Sequence, residues 1–212
     1  GDSRSLLASL PDASVDLIVT SSPYALEFKK EYGNVSKEAY VSWFLGFARE
    51  ALRVLKDTGS FVVNIGGSWE PKQPTRSLYH LRLLLALVDD LSFHLAQEFY
   101  WLNPAKMPVP AEWVTVRRIR VKDSVEHCWW LSKTPWPKAD NRRVLVPYSA
   151  DMERLIKKGY RAKERPSGHV ITEKWGKDQG GAIPGNALIF GNNDSNGDYI
   201  RRCQQAGFKP HP

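Results

Sequence analysis

The chain has 212 residues, 42% of them hydrophobic, with a formal net charge of +7 and a pI near 9.4. This length suits one α/β domain, or a domain with a large insertion, and the apolar share is enough to build a core. The longest strongly apolar stretch, Leu83 to Val88, falls far short of the ~20 residues that cross a bilayer. Two distant cysteines without metal spacing argue against a disulfide framework or a zinc site, and the positive charge favours a polyanionic partner.

In chain order, Ser14 to Thr20 reads as a buried parallel strand. Ala25 to Val35 is polar and reads as a loop. Ser36 suits an N-cap with Glu38 in the first turn, and Tyr40, Phe44, Phe47, Ala48, Leu52 and Leu55 recur at helical spacing. Gly59 is expected to end that unit, Ser60 to Ile65 to form a second strand, and Gly66-Gly67 to break it. Arg76 to Leu91 reads as a helix with Leu78, Leu81, Leu85 and Val88 inward. Leu95 to Trp101 returns as a strand, and this alternation predicts a doubly wound α/β sheet.

Val116 to Val121 alternates, which sets Arg118, Arg120 and Lys122 on one face and Ile119 and Val121 on the other. Val125 to Leu131 reads as a further strand. Pro135 to Asn186 is rich in Pro, Gly and charge, with one short helix from about Ser149 to Lys158. A last helix, Asp198 to Ala206, is stopped by Gly207. No signal-peptide pattern, low-complexity tract or internal repeat is visible. Gly1 is not an initiator methionine, so a processed, trimmed or partial chain is expected.

The first strand runs straight into Ser21-Ser22-Pro23-Tyr24. A hydroxyl, a stiffened backbone and an aromatic ring thus meet at a strand's C-terminal end, where α/β sheets bind ligands. The tetrad resembles motif IV of the DNA amino-methyltransferases, Ser/Asp/Asn-Pro-Pro-aromatic, in the serine form typical of the cytosine-N4 branch. Ser22 stands where that pattern has its first proline. The resemblance implies methyl transfer from S-adenosylmethionine to an exocyclic amine, whose lone pair is delocalised into its ring. Ser21 and a backbone carbonyl shaped by Ser22 and Pro23 would accept the amine's N–H bonds. Tyr24 would stack on a flipped-out base. A cytosine-C5 enzyme would need a Pro-Cys nucleophile, and neither Cys128 nor Cys203 follows a proline.

The resemblance extends over nearly the whole chain to the beta-class amino-methyltransferases, most closely the PvuII-type cytosine-N4 branch. It rests on Lys29-Lys-Glu-Tyr-Gly-Asn34, Trp43-Phe44, Gly59-Ser-Phe-Val-Val-Asn-Ile-Gly-Gly67 and Phe99-Tyr-Trp-Leu-Asn-Pro-Ala-Lys106. Arg120-Val-Lys-Asp123, Trp129-Trp-Leu-Ser-Lys-Thr134, Arg165-Pro-Ser-Gly-His169, Ser195-Asn-Gly197 and Lys209-Pro-His-Pro212 complete it. It implies a catalytic core over residues 1–134, a target-recognition insertion over 135–192, and a return to the core over 193–212. The glycine-rich motif I of the family is absent, so the Rossmann-like core is expected to be incomplete.

The same resemblance implies the site. Ser21, Ser22, Pro23, Tyr24 and Asn64 form the catalytic set, with Asn64 standing where the pattern has an acid. Asp2, Ser21, Pro23, Lys209, Pro210 and His211 would hold the cofactor. Tyr24, Tyr100, Trp101 and Lys106 would face the target base. Lys29, Lys30, Arg117, Arg118, Arg120, Lys122, His169 and Lys174 would contact DNA, phosphates sequence-blind and salt-sensitive. No metal is expected. The partner is duplex DNA, with a second chain carrying motif I or a second copy of this one as further partners. The setting is the bacterial or archaeal cytoplasm, usually in restriction–modification. Three readings remain beside N4-methylcytosine formation: adenine-N6 methylation, a non-catalytic DNA-binding half-enzyme, and an RNA amino-methyltransferase.

Overall fold

The computed structural model describes residues 3–26, 33–164, 166–168, 170–191 and 198–208. The elements are α1 (Ser3–Ala8), β1 (Val15–Ser21), α2 (Lys37–Val54), β2 (Leu55–Ile65), α3 (Tyr79–Asp89), β3 (His94–Leu102), β4 (Val125–Ser132), α4 (Ala150–Lys158), β5 (Lys163–Glu164), β6 (Val170–Ile171), β7 (Ala187–Ile189) and α5 (Asp198–Gln205). A π-helical turn spans Glu112–Val116, and 3₁₀ turns span Asn141–Val144 and Glu173–Gly176. The chain divides into two compact units, residues 1–138 with 186–212, and residues 139–185.

The larger unit is built on a five-stranded mixed sheet of order β1-β2-β4-β3-β7. β1 pairs parallel with β2 and β3 with β7, while β4 runs antiparallel to β2 and β3. On α2, the Ser36 hydroxyl accepts the Ala39 N–H, and Tyr40, Phe44, Ala48 and Ala51 fall on one stripe. That stripe is buried with Phe61, Val63 and Ile65 of β2 and Trp129 and Leu131 of β4. Each fully buried Val, Leu, Ile or Phe among them contributes about 1.5–3 kcal/mol. The expected α/β class is thus observed, with α2 and α3 contributing to one core.

Five local expectations are corrected. On α3 the buried residues are Tyr79, His80, Leu83 and Leu87, whereas Leu78, Leu81 and Leu85 are 50%, 40% and 60% exposed. Leucines occur all round this helix, so their period does not set its phase. Tyr79 sets it: its ring packs edge-on against Tyr40 and its hydroxyl donates to the Gly66 carbonyl. The helix also starts three residues late, because Arg76 is bridged to Trp69 and the Ser77 N–H is given to Ser68.

β1 is not buried on both sides. Among the described residues it stands at the sheet edge, and its Leu17 and Val19 are 56% and 67% exposed. Gly59 does not end a unit but lies inside β2, where a Cβ would come within 2.9 Å of the Lys56 carbonyl oxygen. Finally, residues 116–121 form no strand. Their N–H groups turn back on the π-helical turn, Arg117 to the Glu112 carbonyl and Ile119 and Arg120 to that of Trp113. Arg118 takes a left-handed φ of 54°, which breaks the alternation.

In the smaller unit Ser149 caps α4 by accepting the Met152 N–H, and Gly159 closes it at φ 76°. Val146 bridges to Ala182, and the Tyr148 hydroxyl accepts the Gln179 N–H at 2.7 Å. At the other end of the chain, Gly207 follows α5 with φ 72°, as its C-cap reading required.

His80 gives the fold a pH dependence. It is buried, and burial, then the charges of His127 and Arg76, push its pKa down to about 4. An unfolded histidine titrates near 6.5, so between these values the unfolded state binds more protons. Stability should therefore fall as pH drops from about 6.5 toward 4, by up to roughly 1.4 kcal/mol per pH unit from this group. Urea unfolding of the parent and His80→Leu at several pH values checks this; the variant should lack that share of the slope.

Candidate active site

β1, β2 and β3 run the same way and β4 runs against them, so the C-terminal ends of the first three meet the start of β4. Ser21 ends β1 opposite Asn64 of β2, and Asn64 lies opposite Cys128 of β4. Glu126, two residues before Cys128, shares its face. Lys106 follows β3. These five side chains and Tyr24 form one hydrogen-bonded network.

Asn64 is its pivot. Its Nδ2 donates to the His127 carbonyl at 3.2 Å and to Cys128 Sγ at 3.3 Å. The carbonyl fixes the amide orientation, because a flipped amide would set oxygen against oxygen. Asn64 Oδ1 then accepts from Ser21 Oγ at 3.2 Å and lies 3.0 Å from the Tyr24 hydroxyl. The same hydroxyl is 2.7 Å from Glu126 Oε2, and Glu126 Oε1 is 2.7 Å from Lys106 Nζ. A phenol has one proton, and a charged acceptor takes it in preference to a neutral one. Tyr24 therefore donates to Glu126, and Asn64 Oδ1 is left for Ser21. With its O–H directed at Asn64 Oδ1, the exposed Ser21 hydroxyl presents lone pairs to an incoming group.

Burial, then the Glu126 charge, push the Tyr24 phenol up, which keeps it a donor. Its ring lies against Gly66, where a Cβ would come within 2.5 Å of Tyr24 Cε2. Ser22, in place of the proline, turns its hydroxyl to Tyr40, 2.8 Å away. Tyr40 is fully buried, and burial carries its phenol up to about 12. Burial likewise pushes the Cys128 thiol up, away from a reactive thiolate.

Beside the tetrad lies a pocket of about 370 Å³, lined by Ser21, Ser22 and Pro23 and walled by Leu7, Trp43 and Phe47. Its size lies in the range of small-molecule sites, and its walls are mostly apolar.

The remaining predicted residues scatter. Tyr100 and Trp101 are neighbours on β3, so they point to opposite faces. Tyr100 packs against His127 and donates to Glu98, while Trp101 stacks on Phe190 and donates to its carbonyl. Only Lys106 of that group joins Tyr24. Arg117 pairs with Glu112 and lies over Trp113. Arg120 and Arg76 share Asp123 at 3.2 and 3.1 Å. Lys122 donates to the carbonyls of Pro104 and Lys106. Arg118 and Lys174 are exposed. Asp2, Lys29, Lys30, His169, Lys209, Pro210 and His211 lie outside the described residues. Among the described residues no His, Cys, Asp or Glu group is arranged to hold a metal, and no helix is long and apolar enough to cross a membrane.

Sequence reasoning missed Glu126 and Tyr40. The signal for Glu126 is its parity with Cys128 on one strand, which acquires meaning only once the β2–β4 register is known.

Residues 15–209 match the family model described as DNA methylase. The type II methyltransferase M.PvuII of Proteus hauseri is 51% identical over 215 residues, spanning all of this chain and 64% of that protein. The type II methyltransferase M.BglII of Bacillus subtilis is 25% identical over 184 residues, covering 85% of this chain and 45% of the relative. The solved structure of a PvuII DNA methyltransferase described as cytosine-N4-specific superposes with a TM-score of 0.72 at 42% identity, over all of this chain and 63% of that one. The chain thus spans less than two thirds of the length of these relatives. With nearly its whole length matched by the family model, the chain belongs to the N6/N4 DNA methylase family.

Proposed function

We propose that this chain carries the base-binding part of a DNA methyltransferase that forms N4-methylcytosine in duplex DNA, with S-adenosylmethionine as cofactor. The observation that carries the reading is the Ser21–Asn64 contact: Asn64 Oδ1, oriented by its amide's bond to the His127 carbonyl, accepts from Ser21 Oγ at 3.2 Å, which leaves the Ser21 lone pairs for a donor. An exocyclic amine has N–H bonds to give to such an acceptor. Accepting one of them draws electron density toward nitrogen and orients its lone pair, a preorganised electrostatic effect. The cytosine-N4 specificity in the description of the PvuII structure supports cytosine as the target.

The residues present fit the cofactor. Leu7, Trp43 and Phe47 offer flat apolar walls for an adenosyl group, and Ser21, Ser22 and Pro23 place the tetrad beside it. Bound there, S-adenosylmethionine would supply an electrophilic methyl group to the amine lone pair, its sulfur keeping the electron pair of the bond that breaks, and the proton shed by the amine would pass to solvent. Ser22, tied to Tyr40, holds the strand end in place. The buried Cys128 takes no covalent part.

Residues 135–192 are the target-recognition segment in this reading, with Lys174 exposed for DNA contact. Arg117 and Arg118 are the phosphate contacts. The Arg117–Glu112 pair is more than half exposed on both sides, and such pairs are worth about 0–1 kcal/mol, so it exchanges readily for phosphate. Arg120 is held by Asp123 and buttresses the loop. The setting is a bacterial or archaeal cytoplasm.

The test incubates the full-length protein with S-adenosylmethionine and cytosine-containing duplexes, then analyses the nucleosides. N4-methylcytosine is expected; N6-methyladenine alone would overturn the cytosine assignment. Calorimetric binding of S-adenosylmethionine checks the cofactor separately. Ser21→Ala should lower kcat about 10²–10³-fold, the usual cost of one preorganised hydrogen-bonding group, with little change in KM for the duplex.

Gly66→Ala tests the seat of Tyr24. The new methyl overlaps a ring tethered at its hydroxyl, so kcat should fall, while the overpacking costs about 1–3 kcal/mol in urea unfolding.

A further inference from the structure

We infer that Glu126 is the positioning carboxylate of this site: it fixes the Tyr24 phenol and so leaves Asn64 free to hold the Ser21 proton. The inference rests on the methyl-transfer reading above and extends it to a residue on β4.

The site's hydrogen-bond pattern depends on this group. Asn64 Oδ1 faces two hydroxyls, Ser21 at 3.2 Å and Tyr24 at 3.0 Å. If Tyr24 gave its proton to Asn64, the two hydroxyls would compete for one oxygen, and Ser21 could turn its O–H outward as a donor. A donor facing an amine N–H is repulsive. Glu126 removes the competitor by accepting the Tyr24 proton at 2.7 Å, with Lys106 neutralising its other oxygen at 2.7 Å. The carboxylate is 14% exposed and its lysine 25%, so solvent does little to loosen the arrangement.

The position is specific to this chain's choice of residues. Asn64 is neutral, so the negative charge of the network comes from the neighbouring strand. A carboxylate at 64 would lie within reach of the same phenol. The acid can therefore be moved across the β2–β4 pair without moving Ser21 or Tyr24.

The experiment compares Glu126→Gln, Tyr24→Phe, their double variant, and Glu126→Gln combined with Asn64→Asp. Each is measured for kcat, duplex KM and melting temperature. Glu126→Gln should lower kcat about 10²-fold, the scale of a slightly misplaced catalytic group, with KM changed less than about threefold. Added to Tyr24→Phe, it should cost little more, because both changes break the same contact. Asn64→Asp should restore at least about tenfold of the lost kcat.

Carbon-13 NMR of ring-labelled tyrosine, assigned with Tyr24→Phe, gives a readout apart from turnover: the Tyr24 phenol should ionise at lower pH in Glu126→Gln. A kcat within about threefold of the parent, additive losses, or no rescue would overturn the positioning role. An unchanged Tyr24 signal would overturn the contact itself. If the unaltered protein forms no methylated nucleoside, the methyl-transfer reading fails, and the positioning role with it. The tyrosine signal then separates a contact that is present without that role from one that is absent.

Discussion

The register of β4 against β2 is the constraint on which the active end depends. Asn64 faces Cys128, so the His127 carbonyl comes within reach of the Asn64 amide and Glu126 lies two residues toward the strand start. A slip of one residue would turn Glu126 to the opposite face and put another side chain beside Asn64. The register is held by the core face of the same strands, where Phe61, Val63 and Ile65 alternate with the polar members and Trp129 and Leu131 answer them from β4. Packing on one face therefore sets chemistry on the other, through the two-residue period of the strand.

That division of labour shows in the burial of β2. Its odd-numbered residues from Phe61 to Ile65 are almost wholly buried, while Ser60, Val62 and Asn64 are only partly covered. Asn64 thus sits on the face of β2 away from the core layer, and its backbone is fixed by that close-packed layer. Among the described residues β1 pairs with β2 alone, and Ser21 is fastened further through its side chain. Its side-chain bond to Asn64 and the tie from Ser22 to Tyr40 add fastening at the strand end.

Much of the fold was legible because short-range signals agreed. The cap at Ser36, the helical stripe from Tyr40 and the apolar run into Ser21 each point to one element, and each element formed. α3 resisted because leucines surround it, so no stripe stands out; the deciding contact, Tyr79 with Tyr40 and Gly66, is long-range. The stretch from Val116 to Val121 resisted for the opposite reason: its alternation is real, but its backbone donors find partners in the preceding turn. Of the hydrogen-bonded network, Ser21, Asn64 and Lys106 were named from motif and spacing. Glu126 was not, since its role is defined across two strand pairings. Nor was the separation of Tyr100 from Trp101, which strand parity imposes once β3 is placed between β4 and β7.

The serine at position 22 shows how a departure from a motif can be absorbed. A proline stiffens the strand end through its ring, which restricts its own φ and the residue before it. Serine gives up that restriction, and fixing a residue's backbone costs about 1–2 kcal/mol of conformational entropy. Here Pro23 still restricts Ser22 from the C-terminal side, and the Ser22 hydroxyl is fastened at 2.8 Å to a tyrosine that is itself fully buried. A hydrogen bond of this kind contributes about 0.5–1.5 kcal/mol net, comparable to the stiffness forgone. The tether also has a direction that proline lacks. It draws Ser22 toward α2 and, by strand alternation, leaves Ser21 and its acceptor oxygen facing the other way.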